Sequence, residues 1–351
     1  MTEPVIPHAP PFWTSTLPGI GGRIGPLEDD FIVEEIPAYA PSGSGEHWYV
    51  RVQKRGQNTR DAALALSRAA RVSERDIGYA GMKDKHAVTT QWFSLPGSAT
   101  SPETWSLPEG LELLEVSRHA NKLRTGHLRG NRFRIALVET RDLEGARALL
   151  EHLSQRGLPN YFGPQRFGHD GRNLGEALAW LRGETRLPRS KERFLTKLYP
   201  SVVQAEVFNR YVTRRLSLGT EALIAGEVVR IEGSSAHFVV EDVERETPRY
   251  AASEIRITGP LPGPKLRQGV GRALELELEA AREAGVGEKE LGALAPHAPG
   301  TRRDVLVFPS EVSVDATGDR LVLGFGLPAG SYATEVVREL SRSAVSSRHE
   351  A

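Results

Sequence analysis

The stretch 304–325, DVLVFPSEVSVDATGDRLVLGF, decides how the chain is organised. Apolar residues recur there in short β-type runs, at 304–308, 312–315 and 321–325, with Thr317-Gly318-Asp319 as the turn before the last. The segment 331–342 then reads as a helix entered at Ser331. Three strands and one helix are too few to bury a core of their own. They must return to a sheet begun earlier, which makes the residues in between, 158–303, an insertion.

Working outward, strands are expected at 31–35, 47–53, 88–95 and 132–138. Trp48, Val50 and Val52 share one face of the second, and Phe133, Ile135 and Leu137 one face of the last, opposite Arg132 and Arg134. A helix starts at Thr59, whose hydroxyl can cap it, and carries Ala62, Ala63, Leu66, Ala69 and Ala70 at helical spacing. Another spans 142–156, with Asp142 at its N-cap and Gly157 past its end. Beyond it the chain changes character: helices at 173–182, 201–218 and 272–284 surround a hairpin of 228–231 with 237–241. The fold class is α+β. A large, mostly antiparallel sheet is built from 1–157 and 304–351, and 158–303 forms an inserted, largely helical domain.

Composition narrows the function. The 351 residues exceed what one core usually holds. With 39% hydrophobic and 26% charged residues, and no apolar run of about 18, neither a disordered nor a membrane-spanning chain is expected. The start lacks the basic and apolar regions of a secretory leader, and there is no cysteine, so a reducing cytoplasm is expected. Disulfides, Cys-ligated metals and thiol nucleophiles are excluded. The ten histidines form no metal-ligand spacing, and no phosphate-cradling glycine loop follows a strand, so neither a metal nor a nucleotide cofactor is expected.

Net charge is zero, but unevenly distributed. Residues 1–50 carry 1 basic and 7 acidic side chains, 51–200 carry 26 and 16, and 201–351 carry 18 and 22. Within 116–135, Arg118, Lys122, Arg124, Arg129, Arg132 and Arg134 occur with no acid among them. Such a run suits a polyanion, although many charge runs are only solvated faces. Three clusters could carry chemistry. In 81–92, GMKDKHAVTTQW, Asp84 lies between Lys83 and Lys85, beside His86. Flanking cations favour a charged carboxylate, which suits a nucleophile or base. The plain alternative is a solvated turn with Gly81 present for its positive φ. In 160–173, Tyr161, Phe162 and Phe167 are interleaved with Gln165, Arg166 and Arg172, as stacking on unpaired bases requires, or as a plugged domain junction would also show. In 326–334, Tyr332 enters a helix start. Paired acids at Glu28, Asp29, Asp30, Glu34 and Glu35 weakly allow a glycosidase, but alternation separates the last two, and 28–30 reads as a solvated turn.

In this order the clusters resemble the TruD family of tRNA pseudouridine synthases. The matching motifs are Gly78 to Trp92, Gly130-Asn131-Arg132-Phe133, Asn160 to Gly168 and Leu327 to Thr334, together with Asp30 to Glu35, and the resemblance runs from about residue 20 to 342. It implies a pseudouridine synthase domain interrupted by a family-specific insertion, and isomerisation of a uridine at position 13 in the D-arm of tRNA without cofactor, metal or energy source. The family's catalytic aspartate falls on Asp84, as nucleophile or base. Phe133 is implied to stack on the uracil, Asn131 to contact it, and Phe31 and Tyr332 to line the pocket. Lys83, Lys85 and Gln91, and Phe162, Gln165 and Arg166 of the third motif, are expected at the substrate. Arg118, Lys122, Arg124, Arg129 and Arg132 are expected along the RNA backbone. The family also has a basic residue ahead of its Asp-Phe pair that joins the aspartate; here Gly25 and Leu27 occupy the candidate positions and Arg23 is the nearest cation. The expected partner is tRNA, with no membrane and no metal, and the chain a monomer. A non-catalytic tRNA-binding protein or RNA chaperone, or a glycosidase, remain the alternatives.

Overall fold

Strand Leu128–Val138 behaves as its alternation requires, burying Phe133, Ile135 and Leu137 and exposing Arg132 and Arg134. In the computed structural model, which describes residues 6–342, it lies inside a nine-stranded sheet. The order is Ser310–Thr317, Arg320–Pro328, Leu128–Val138, Phe31–Pro37, Val88–Pro96, His47–Arg55 and Leu111–His119, with Arg23–Ile24 beside 128–138 and Gly78–Tyr79 beside 88–96. Every pairing is antiparallel except that of 31–37 with 88–96. Helix Thr59–Ala70 covers one end of the sheet, burying Ala62, Ala63, Leu66 and Ala70 against Val50, Val52, Phe93 and Leu95. Leu143–Arg156 packs on 310–317 and on helix Ala333–Ser341. These elements form one compact unit, Thr16–Arg156 with the chain from Phe308 onward.

The other unit is Gly157–Val307 with the chain up to Ser15. Its centre is the helix Glu192–Ser217, packed by Arg172–Leu181 and Arg272–Glu283. A four-stranded sheet completes it, ordered His237–Val239, Val228–Ile231, Ile255–Leu261 and Thr301–Asp304. Among the described residues no helix is long and apolar enough to cross a membrane.

Several expectations are corrected. The stretch 304–308 is not one strand of the large sheet. Thr301–Asp304 pairs with 255–261, and Leu306–Val307 with Leu158–Pro159, so the chain rejoins the first unit only at Phe308. Buried and half-buried ion pairs hold it there, Arg302 to Glu277 at 2.7 Å and Asp304 to Arg230 at 2.7 Å. Residues 6–15 also belong to the second unit, where His8 donates its main-chain N–H to Glu206 at 3.1 Å. The helix expected from 201 begins at Glu192 and continues through Pro200, and the hairpin 228–231 gains two further strands. Strand 111–119 has no counterpart among the expected elements, because this exposed edge carries Glu112, Leu114, Glu115 and Val116 without clear alternation.

Gly130 marks a close approach of 128–138 to strand 320–328, since a Cβ there would lie 2.2 Å from the Leu327 carbonyl oxygen. Gly130→Ala is therefore expected to cost about 1–3 kcal/mol in urea unfolding, as overpacking does. An unchanged midpoint would show that the two strands separate at little cost.

Candidate active site

The loop between 78–79 and 88–96 exposes the Asp84 side chain while its own main chain is held from beneath. Asn58, not Thr59, caps helix Thr59–Ala70, accepting from the Asp61 N–H at 2.9 Å. The fully buried Thr59 hydroxyl is thereby left to accept from the Lys83 N–H at 2.8 Å and to donate to Gln91 Oε1 at 2.9 Å. Gln91 Nε2 donates in turn to the Gly81 carbonyl at 3.3 Å. From strand 47–55, Lys54 Nζ donates to the carbonyls of Gln57 at 2.6 Å, Asp84 at 2.7 Å and Lys83 at 3.5 Å. Gly81 does not adopt positive φ, contrary to expectation, and a Cβ there would make only ordinary contacts.

Two charges are buried under this loop. Glu35, on the inward face of 31–37, binds Lys83 Nζ at 2.7 Å with both side chains almost wholly excluded from water, and also accepts the Trp92 N–H at 3.2 Å. Lys83 is thus a partner of the sheet rather than an exposed cation at the substrate. The Lys54 ammonium is fully buried, which pushes it down to about 8, while the Asp84 carboxylate acts in the opposite sense. Lys85 stays exposed.

Cross-strand register places the remaining residues on the same face. Lys54, Thr89, Val33, Phe133 and Phe325 are successive partners across five strands. Two positions along, Glu35, Asn131 and Leu327 are likewise paired. Phe133 stacks on Phe325 with centroids 5.5 Å apart and meets Phe31 edge-on at 6.2 Å. Only 9% exposed, Phe133 is a core ring rather than an open stacking surface. Asn131 Oδ1 and Thr89 Oγ1 are buried without a hydrogen-bond partner among the described residues, as are Ser331 Oγ and Thr334 Oγ1 beyond the end of strand 320–328. Tyr332 begins the helix after that strand.

The structure therefore gathers Asp84, Lys83, Gln91, Phe31, Asn131 and Phe133 around one sheet face. It does not place every expected RNA contact there. Arg132 lies on the opposite face from Phe133 and is engaged by Glu311 at 2.6 Å, and Arg118 stacks on Trp48 at 3.3 Å. Lys122 donates to the Arg75 carbonyl at 2.7 Å. Arg124 and Arg129 are exposed and form no ion pair among the described residues, in a segment tied to the start of the Asp84 loop by the Gly126 N–H on the Ala80 carbonyl at 2.8 Å. Phe162, Gln165 and Arg166 belong to the other unit. There Phe162 packs edge-on against Phe208 and lies under the guanidinium of Arg303, at 4.3 Å, and Arg166 Nη1 donates to Ser201 Oγ at 3.4 Å. Arg23 pairs with Glu139 at 2.8 Å at the surface, not with Asp84. Asp30, expected in a solvated turn, is fully buried and paired with Arg320, while Asp29 pairs with Arg55 at 2.7 Å.

Lys54 belongs to none of the motifs that the sequence displays. Its signal is nonetheless there: the apolar stripe Trp48, Val50, Val52 continues at the same spacing to a lysine. Glu35 extends the Phe31, Val33 stripe in the same way. Removing one partner of a buried pair strands the other, so Lys83→Met is expected to destabilise the chain by about 3–5 kcal/mol in urea unfolding. The double variant Lys83→Met with Glu35→Leu should recover most of that loss. Equal stability of Lys83→Met and the unaltered chain would mean that Glu35 is not neutralised by this lysine.

The family model for tRNA pseudouridine synthase D (TruD) matches residues 11–184 and 187–340. A tRNA pseudouridine synthase D of Anaeromyxobacter sp. (strain Fw109-5) is 45% identical over 338 residues, covering 95% of this chain and 96% of the relative. One from Thermus thermophilus is 38% identical over 344 residues, with 96% and 93% covered. A crystal structure assigned as tRNA pseudouridine synthase D in Methanosarcina mazei superposes with a TM-score of 0.69 at 27% identity, covering 93% of this chain and 95% of that one. By the match of the family model and the identity to these relatives along nearly the whole length, the chain belongs to the TruD family of tRNA pseudouridine synthases.

Proposed function

We propose that this enzyme converts uridine to pseudouridine at position 13 in the D-arm of tRNA, with Asp84 acting on the ribose as nucleophile or base. The observation that carries the reading is an exposed carboxylate on a loop whose main chain is immobilised from beneath, beside a sheet face with aromatic rings and unsatisfied buried polar atoms. A fixed carboxylate suits a centre where positive charge develops as the base departs. A uracil presents alternating donors and acceptors, which is what Asn131 Oδ1 and the hydroxyls of Thr89, Ser331 and Thr334 lack. The nucleotide must leave its stack to reach such a site, and contact with the edge of Phe133 offsets part of a cost of a few kcal/mol. The N1–C1′ bond breaks, the base turns, and a C5–C1′ bond forms. C5 gives up its hydrogen as a proton and N1 gains one, so atoms and electrons balance without a second reactant. Such work on tRNA fits a cytoplasmic enzyme.

The glycosidase reading, which rests on the acids at 28–30, is weakened because Asp30 is buried and paired with Arg320 and Asp29 is paired with Arg55, while Glu34 and Glu35 are engaged by Arg51 and Lys83 on opposite faces of one strand.

Tritium release from tRNA transcripts labelled at uridine C5 tests the reaction directly. Release is expected from the unaltered chain and should fall by about 10³-fold or more in Asp84→Asn. Full turnover by Asp84→Asn would falsify the role of that carboxylate, and binding without release by the unaltered chain would favour a non-catalytic RNA-binding protein. Free uracil as product would point to hydrolysis instead. For binding, the double variant Arg124→Ala with Arg129→Ala is expected to lower the slope of log affinity against log salt by about 1–2, one unit or slightly less for each phosphate left without its cation. An unchanged slope places the RNA backbone elsewhere.

A further inference from the structure

We propose that Lys54 is the positioning residue for Asp84, a buried cation that fixes the aspartate's main chain and supplies the positive field in which its carboxylate works. This inference rests on Asp84 being the reacting carboxylate. Strand 47–55 buries Val50, Val52 and Lys54 on one face without residual exposure, so the ammonium stands where the stripe calls for an apolar group. Taking an ammonium out of water is costly unless it is paired or hydrogen-bonded. Here no carboxylate lies within ion-pair distance of it among the described residues. Three main-chain carbonyls accept from it instead, and two of them are consecutive, those of Lys83 and Asp84. A packing role would be served as well by methionine. A cation aimed at successive carbonyls of the loop that carries the reacting acid is harder to explain by packing.

The surrounding charges favour the same assignment. The groups that act on Lys54 are Asp84 and Lys83 from the loop and Asp61 from helix 59–70. Lys83 is taken by Glu35, Arg55 by Asp29 and Glu28, and Arg23 by Glu139. At Gly25 there is no room for a side chain, since a Cβ would lie 2.2 Å from Asp30 Oδ2. Among the described residues, Lys54 is the cation left to act on Asp84 from inside the sheet. Its burial also places its proton loss near pH 8, so the field on Asp84 should weaken above that pH while the amine still donates hydrogen bonds.

The test is single-turnover formation of pseudouridine in saturating tRNA across the pH range spanning 8, for the unaltered chain, Lys54→Met, Lys54→Arg and Asp84→Asn. The unaltered chain should lose rate through a limb near pH 8. Lys54→Met should be slower by about 10²-fold, with no limb and with tRNA affinity within about twofold. Lys54→Arg should recover part of the rate and hold it through the alkaline range, because a guanidinium does not titrate there. A flat profile in the unaltered chain, the same limb in either Lys54 variant, or Lys54→Met within about threefold of the unaltered rate would each overturn the proposal. If Lys54→Met does not fold, the comparison of the unaltered chain with Lys54→Arg decides. An active Asp84→Asn would sink the assignment of the reacting carboxylate whatever Lys54 does, whereas an inactive one with unaltered Lys54 profiles would sink only the present inference.

Discussion

A carboxylate on the apolar face of a sheet has to be neutralised, and Glu35 is such a carboxylate. The lysine that reaches it, Lys83, comes from the loop that also carries Asp84, so the demand for neutralisation in the core dictates the path of that loop. Lys54 imposes a second demand from the neighbouring face position, and the loop meets it with two main-chain carbonyls. Side chains from strands 31–37 and 47–55 and from the first turn of helix 59–70 thus converge on Lys83 and Asp84, while Gln91 of strand 88–96 holds Gly81. The resulting order is electrostatic in origin, and is independent of whether the loop sequence itself favours one conformation.

Much of this is legible in the sequence. Alternation in 31–35, 47–53 and 132–138 locates three central strands and the faces of Phe133 and Arg132. Similarity to known motifs points to Asp84. What escapes has definite physical causes. The charges at Lys54 and Glu35 break a pattern that is read by counting apolar residues, so each falls outside the stripe it belongs to. Asp84's two sequence neighbours look equivalent, yet only Lys83 is buried, because adjacent residues of a loop need not point the same way. Thr59 reads as a cap, but Asn58 competes better for that role and leaves the hydroxyl to the loop. The stretch 304–308 reads as one strand of the large sheet because the true partners of Thr301–Asp304 and Leu306–Val307, 255–261 and 158–159, leave no trace in local periodicity.

The basic segment shows the same limit. Its cations count together in the sequence, but strand geometry sends Arg132 and Arg134 to the face opposite Phe133, while Arg124 and Arg129 lie ahead of or at the start of the strand. Engagement by Glu311, by the Trp48 ring and by the Arg75 carbonyl withdraws Arg132, Arg118 and Lys122 from the pool of unengaged charge. The long helix 192–217 and the buried pairs Arg215–Glu227 and Arg302–Glu277 stabilise the other unit from within.

The tight fit at Gly25 also constrains how this sequence can change. Asp30 fills the space a side chain would need, and it is held there by Arg320 and by the Leu27 N–H at 2.8 Å. Any side chain at position 25 requires Asp30 to move, and with it the guanidinium of Arg320 that Asp30 binds. Position 25, Asp30 and Arg320 therefore act as one packed unit, in which the effects of substitutions do not add.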